Sequence, residues 1–78
     1  QAITDLNAED LIALIQRLPD GFRDVFNLYI VEGYSHDEIA ELLHIAPGTS
    51  RSQLTRARQK LQAMILEREK ENYVKRVG

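Results

Sequence analysis

Cysteine and tryptophan are missing from this 78-residue chain, and methionine, proline and glycine are scarce, with one, two and four copies. Without cysteine there is neither a disulfide framework nor a thiolate metal site, and a reducing compartment suits the chain. No apolar run approaches the ~20 residues needed to span a bilayer, and no signal-peptide pattern opens the sequence. No membrane partner is therefore expected, and the expected location is the cytoplasm. Period-two alternation of β-branched residues is also lacking, which argues against a sheet. A chain this short holds one domain with a single modest core. Its first residue, Gln1, is what a fragment or processed piece of a longer protein would show.

The net charge of −2 argues at first against a nucleic-acid partner, but the charges are segregated. Residues 1–46 carry nine acids and two bases, whereas residues 47–66 carry Arg51, Arg56, Arg58 and Lys60 with no acid. The tail, 67–78, is mixed. Attraction to a phosphate backbone is local and decays within a Debye length of about 10 Å, so one basic segment on an acidic body is enough. A solvated basic helix face would show the same charge pattern.

Turn signals divide the chain into four helical segments, giving an all-α, four-helix expectation. Asn7 is a good N-cap, with Asp10 three residues on as a weaker relative of the capping box. Leu11, Ile12, Leu14, Ile15 and Leu18 then form an apolar face that stops at Pro19. In the second segment Phe22, Val25, Phe26, Tyr29 and Ile30 fall at helical spacing, and Gly33 marks a left-handed end. Ser35-His36-Asp37-Glu38 is a capping box opening a short third helix, whose buried side would be Ile39, Ala40, Leu42 and Leu43. That helix stops before Pro47-Gly48. From Thr49 a long last helix is expected to run to about residue 70 and then fray.

Two helices joined by a tight turn, the second one basic, make a helix-turn-helix, with Ile45 as the apolar plug between them. On a helical wheel Ser50, Leu54, Ala57 and Leu61 share one arc of roughly 60°, the core side. The opposite arc holds Ser52, Thr55, Arg56 and Gln59, flanked by Arg51 and Lys60. Such a face, without acids in its first turns, suits a major groove about 12 Å wide. Arg51 and Arg56 match the O6 and N7 of guanine, and Gln53 and Gln59 can read adenine, though Gln53 sits to the side and its reach is as good for a phosphate. Ser52 and Thr55 suit a base edge, a thymine methyl or a phosphate. Lys60 would position the backbone, and Thr49 with the amides at the helix start offers a phosphate site. For Arg58, an ion pair with Glu38 or Glu41 is as good a reading as a phosphate contact.

His36 and His44 have no ligand cluster near them in sequence. His36 is expected to be solvated, and His44 to be a C-terminal histidine favoured by the helix dipole. Paired carboxylates, an activated nucleophile and a phosphate loop are all missing. An enzyme, a cofactor, a metal and a small-molecule substrate are not expected.

The residues also resemble a known family. Leu18-Pro19, Phe22 to Phe26, and Glu32-Gly33-Tyr34-Ser35-His36-Asp37-Glu38-Ile39-Ala40-Glu41-Leu42-Leu43 look like the opening of region 4 of a sigma-70-type factor. Gly48-Thr49-Ser50-Arg51-Ser52-Gln53-Leu54-Thr55-Arg56-Ala57-Arg58 resembles the recognition-helix motif of its extracytoplasmic-function (ECF) branch. The resemblance spans about residues 8 to 62. It implies a sigma region 4 fold, binding of the promoter −35 element as part of RNA polymerase, docking on the flap of the β subunit, and in many cases an anti-sigma factor. By position, Arg51, Ser52, Thr55 and Arg56 match the base-facing residues. The sequence departs from the pattern at His44, where glycine is usual, at Pro47, which stands later than the family's proline, at Ser50, often valine, and at Gln53, often arginine. These departures bear on the promoter sequence, not the fold.

The division expected is a residual linker over 1–6, the domain over 7–66 with its helix-turn-helix at about 35–62, and a polar helical extension or tail over 67–78. Two other readings fit the residues. A LuxR-type response-regulator domain would bind as a symmetric dimer. A protein-interaction module would use its apolar and acidic helices, with DNA contact incidental.

Overall fold

A computed structural model describes residues 6–77. Its helices are α1 (Ala8–Gln16), α2 (Asp20–Phe26), which passes directly into a π-helical turn (Asn27–Val31), α3 (His36–Leu43) and α4 (Pro47–Val77). Of the expected linker, residues 1–5 lie outside the described residues, and Leu6 packs half-buried against the core. The architecture is the all-α helix-turn-helix expected, with α4 as a backbone against which α1, α2 and α3 pack.

Local chemistry sets the helix limits. Asn7 Oδ1 accepts from the Asp10 amide at 2.8 Å while the Asn7 amide donates to Asp10 Oδ2, so Asp10 completes a full capping box. Arg23 holds α2 to α1: its Nη1 donates to the Gln16 carbonyl and its Nη2 pairs with Asp20 at 2.9 Å. Ser35 and Glu38 form the reciprocal box at the start of α3. At its far end the Ile45 amide returns to the Ala40 carbonyl, a Schellman-type closure that needs a left-handed residue at position 44. His44 takes that conformation at φ 58°. This is the position where the family pattern has glycine, and the histidine bears the strain a Cβ brings there.

The core is Leu14, Ile15 and Leu18 after α1 begins, Val25 and Phe26 on α2, Ile39 and Ala40 on α3, and Leu54, Ala57 and Leu61 on α4. Three residues expected inside lie outside: Ile12, Ile30 and Leu42 are about half exposed. For Ile30 the cause is the π-helical turn, closed by the Glu32 amide on the Asn27 carbonyl. The wider i→i+5 turn rotates the chain against an α-helical wheel, so Leu28 and Tyr29 meet the core and Ile30 turns out. Ile12 and Leu42 sit at the edges of apolar faces broader than the surfaces that pack on them. Gly33 ends the turn at φ 83°, and the Tyr34 amide closes back on the Leu28 carbonyl.

The last helix is longer than expected. It begins at Pro47, whose missing amide donor is no loss at a first helical position, and continues past residue 70 to Val77. Glu67, Lys70, Glu71 and Lys75 recur at three- and four-residue spacing, and Lys75 and Arg76 stand in the last turn, both favourable to the helix. Arg68 ties the extension to α1 through an ion pair with Asp10 at 2.9 Å.

Candidate nucleic-acid interface

The α4 residues that are buried are Ser50, Leu54, Ala57 and Leu61, the arc read from the wheel. With that stripe fixed inward, Thr49, Arg51, Ser52, Thr55, Arg56, Gln59 and Lys60 are all exposed. They form one continuous polar face over the first four turns, with no acid in the first turn. α1 and α3 begin differently, with Glu9 and Asp10, and with Asp37 and Glu38.

Two of the hydroxyls are already oriented. Ser52 donates to the Thr49 carbonyl at 3.1 Å and Thr55 donates to the Arg51 carbonyl at 3.2 Å. Each thereby keeps its oxygen as an acceptor, which suits the exocyclic amino groups of adenine and cytosine in the major groove. At the start of the helix Ala46 has no side-chain oxygen with which to cap it, and the Ser50 amide is the first to bond back, to the Ala46 carbonyl. The amides of Gly48 and Thr49 find no partner among the described residues. The Arg51 guanidinium lies beside Gly48: a Cβ there would meet Arg51 Nη2 at 3.9 Å. A guanidinium next to the open start of a helix is complementary to an anion.

Gln53 stands apart. Its side chain is half-buried against the start of α2, where a Cβ on Gly21 would come within 3.4 Å of its Nε2, and its Oε1 is buried without a hydrogen-bond partner among the described residues. Arg58 is exposed and makes neither of the ion pairs weighed for it among the described residues. Glu38 is held instead by the Ser35 amide at 2.8 Å.

His36 corrects an expectation. It is not a solvated first-turn residue: it is half-buried, stacks on Tyr29 with ring centroids 4.3 Å apart and planes 13° apart, and places Nδ1 2.8 Å from Ser50 Oγ. A serine in the middle of a core arc was the available signal, because a buried hydroxyl demands a hydrogen-bond partner. The π-helical turn that brings Tyr29 to the imidazole has no such signal.

Another surface flanks α3. Tyr34, Glu38, Glu41 and Leu42 line one shallow hollow, half apolar and half acidic. Among the described residues no group of three or more His, Asp or Glu side chains comes together, and no helix is long and apolar enough to cross a membrane.

No curated protein matches the chain. The family model for sigma-70, region 4, matches residues 8–61, from the first residue of α1 to the last buried position on α4. The chain belongs to the sigma-70 region 4 family, DNA-binding domains that act with the RNA polymerase core in transcription initiation.

Proposed function

We propose that this domain reads the promoter −35 element as region 4 of an ECF sigma factor, laying the first four turns of α4 in the major groove. One observation carries the reading: Arg51, Ser52, Thr55, Arg56 and Gln59 share an exposed, acid-free face directly opposite a fully buried stripe. Arg56 and Arg51 contact guanine, with Arg51 also able to clamp a phosphate beside the Gly48 and Thr49 amides. Ser52, Thr55 and Gln59 read amino groups or a thymine methyl, and Lys60 and Thr49 hold the backbone. Gln53, packed at the foot of α2, serves the backbone and not a base.

The working domain spans 7–66, and the hollow of Tyr34, Glu38, Glu41 and Leu42 is the surface offered to the β flap or to an anti-sigma factor. The protein acts in the cytoplasm, where polymerase is. Affinity of the domain alone is weak, because tethering to polymerase supplies a high local concentration.

The test is a salt-series titration against a randomised duplex pool. Enrichment of a short asymmetric hexamer, lost in the Arg51→Ala/Arg56→Ala protein, is expected. Each arginine is worth about 1–3 kcal/mol of base discrimination. Lys60→Ala is expected to weaken all duplexes alike and to lower the salt slope by about one. Equal binding by the double variant would remove α4 from DNA reading.

A further inference from the structure

Ser50 is the buried polar residue of the core, wholly enclosed at 0% exposure, and it stands in the first turns of α4 next to Arg51 and Ser52. Its hydroxyl has one side-chain hydrogen-bond partner among the described residues, His36 Nδ1 at 2.8 Å, on the first turn of α3. His36 is in turn held face to face by Tyr29 from the π-helical turn. Three successive elements are therefore joined by one chain of side chains that ends beside the proposed base-reading residues.

We infer that Tyr29, His36 and Ser50 form a positioning chain that fixes the start of α4 on α3 and so presets the aim of Arg51 and Ser52. The inference rests on the reading of DNA by this face. α4 starts without a side-chain cap, since Ala46, Pro47 and Gly48 offer no oxygen, and the box that secures α3 has no counterpart here. The His36–Ser50 bond takes its place from outside the helix. The stack restricts rotation of the imidazole, and the imidazole sets where the Ser50 oxygen, and with it the helix start, comes to rest. Base-reading side chains tolerate displacements of only about 0.5 Å, so a loosened first turn lowers discrimination while leaving the fold in place.

The bond is complete when the Ser50 hydroxyl donates to Nδ1 of an imidazole that carries its proton on Nε2, the arrangement the inference takes. Both residues are positioning residues, without contact to DNA.

The experiment uses the 78-residue chain and four variants: Ser50→Ala, His36→Phe (stack kept, acceptor lost), both together, and His36→Asn, whose amide oxygen can stand where Nδ1 stood. Helicity and thermal unfolding first establish a temperature at which all are folded. Two readouts follow. In the free protein, Ser50→Ala and His36→Phe are expected to raise amide exchange at Arg51 and Ser52 several-fold relative to Leu61. Imidazole nitrogen shifts are expected to show Nδ1 unprotonated in the parent. Against the selected hexamer and a scrambled duplex, each single variant is expected to lower the affinity ratio by roughly three- to tenfold, the loss of one buried hydrogen bond. The double variant is expected to fall no further, and His36→Asn to recover most of the ratio. Unchanged exchange at Arg51 and Ser52 would overturn the inference whatever the DNA result. So would a parental ratio in Ser50→Ala and His36→Phe where Arg51→Ala/Arg56→Ala has lost it. If the arginine variant also binds as the parent does, the DNA reading fails, and the exchange data alone decide whether the chain positions α4.

Discussion

The two helices of the hairpin start in opposite ways. α3 is fastened at its first turn by Ser35 and Glu38, bonded reciprocally, with Asp37 adding a second negative charge beside the positive end of the dipole. α4 begins Pro47-Gly48-Thr49 with no acid and no capping oxygen of its own, and the amides of Gly48 and Thr49 find no partner among the described residues. By the ordinary rules of helix stability α3 is the better-designed start. The difference is the one the proposed reading asks for, α3 as scaffold and α4 as surface: stabilising devices at an N-terminus occupy the same donors, and put down the same negative charge, that a phosphate would meet.

This contrast can be broken at several points. The largest effect is expected from Ile39→Ala, which empties a fully buried position on the scaffold helix and should cost about 2–5 kcal/mol in urea unfolding. Next, giving α4 an acid in its first turn, Thr49→Glu, should slightly stabilise the free domain yet weaken duplex binding at least about tenfold at low salt, with the gap narrowing as salt rises. Removing the cap from α3 by Ser35→Ala should act on stability alone. Stability falls by about 1 kcal/mol, and affinity per folded molecule stays as it was. A loss of affinity as large as that of Thr49→Glu would mean that both helices serve the surface. The smallest effect is expected at the turn between them. His44→Gly relieves the left-handed strain, at about 1–2 kcal/mol, but adds unfolded-state freedom, so a net gain of about 0.5 kcal/mol and a rise of a few degrees in Tm are expected.

Sequence patterns carried much of the frame. Ser35 and Glu38 announced the start of α3, Ile45 packs as the plug between the hairpin helices, and the wheel of α4 picked out all four of its buried positions. These are short-range or strictly periodic signals, and one sequence is enough to read them. The misreadings share another origin. The spacing sets Ile30 beside Tyr29 on an unbroken α-helical wheel; a single widened turn keeps Tyr29 on the core and turns Ile30 out, and nothing in Asn27-Leu28-Tyr29-Ile30-Val31 marks a π-helical turn. His36 looked solvated because its partners, Tyr29 and Ser50, are 7 and 14 residues away and come together only through packing. The extension of α4 was underestimated because its polar composition hid the pairing of Arg68 with Asp10 from α1.

That extension has a mechanical side. About 21 residues of continuous helix separate Arg56 from Val77, a rod of about 32 Å at 1.5 Å per residue. Asp10 grips it at Arg68, a little past the middle. Pivoted at Arg68, a tilt of about 5° moves the Arg56 end, about 18 Å away, by about 1.6 Å, roughly three times the tolerance of a base contact. The rod is a lever with its fulcrum on α1, so whatever grasps the tail gains leverage on the face proposed to meet the bases.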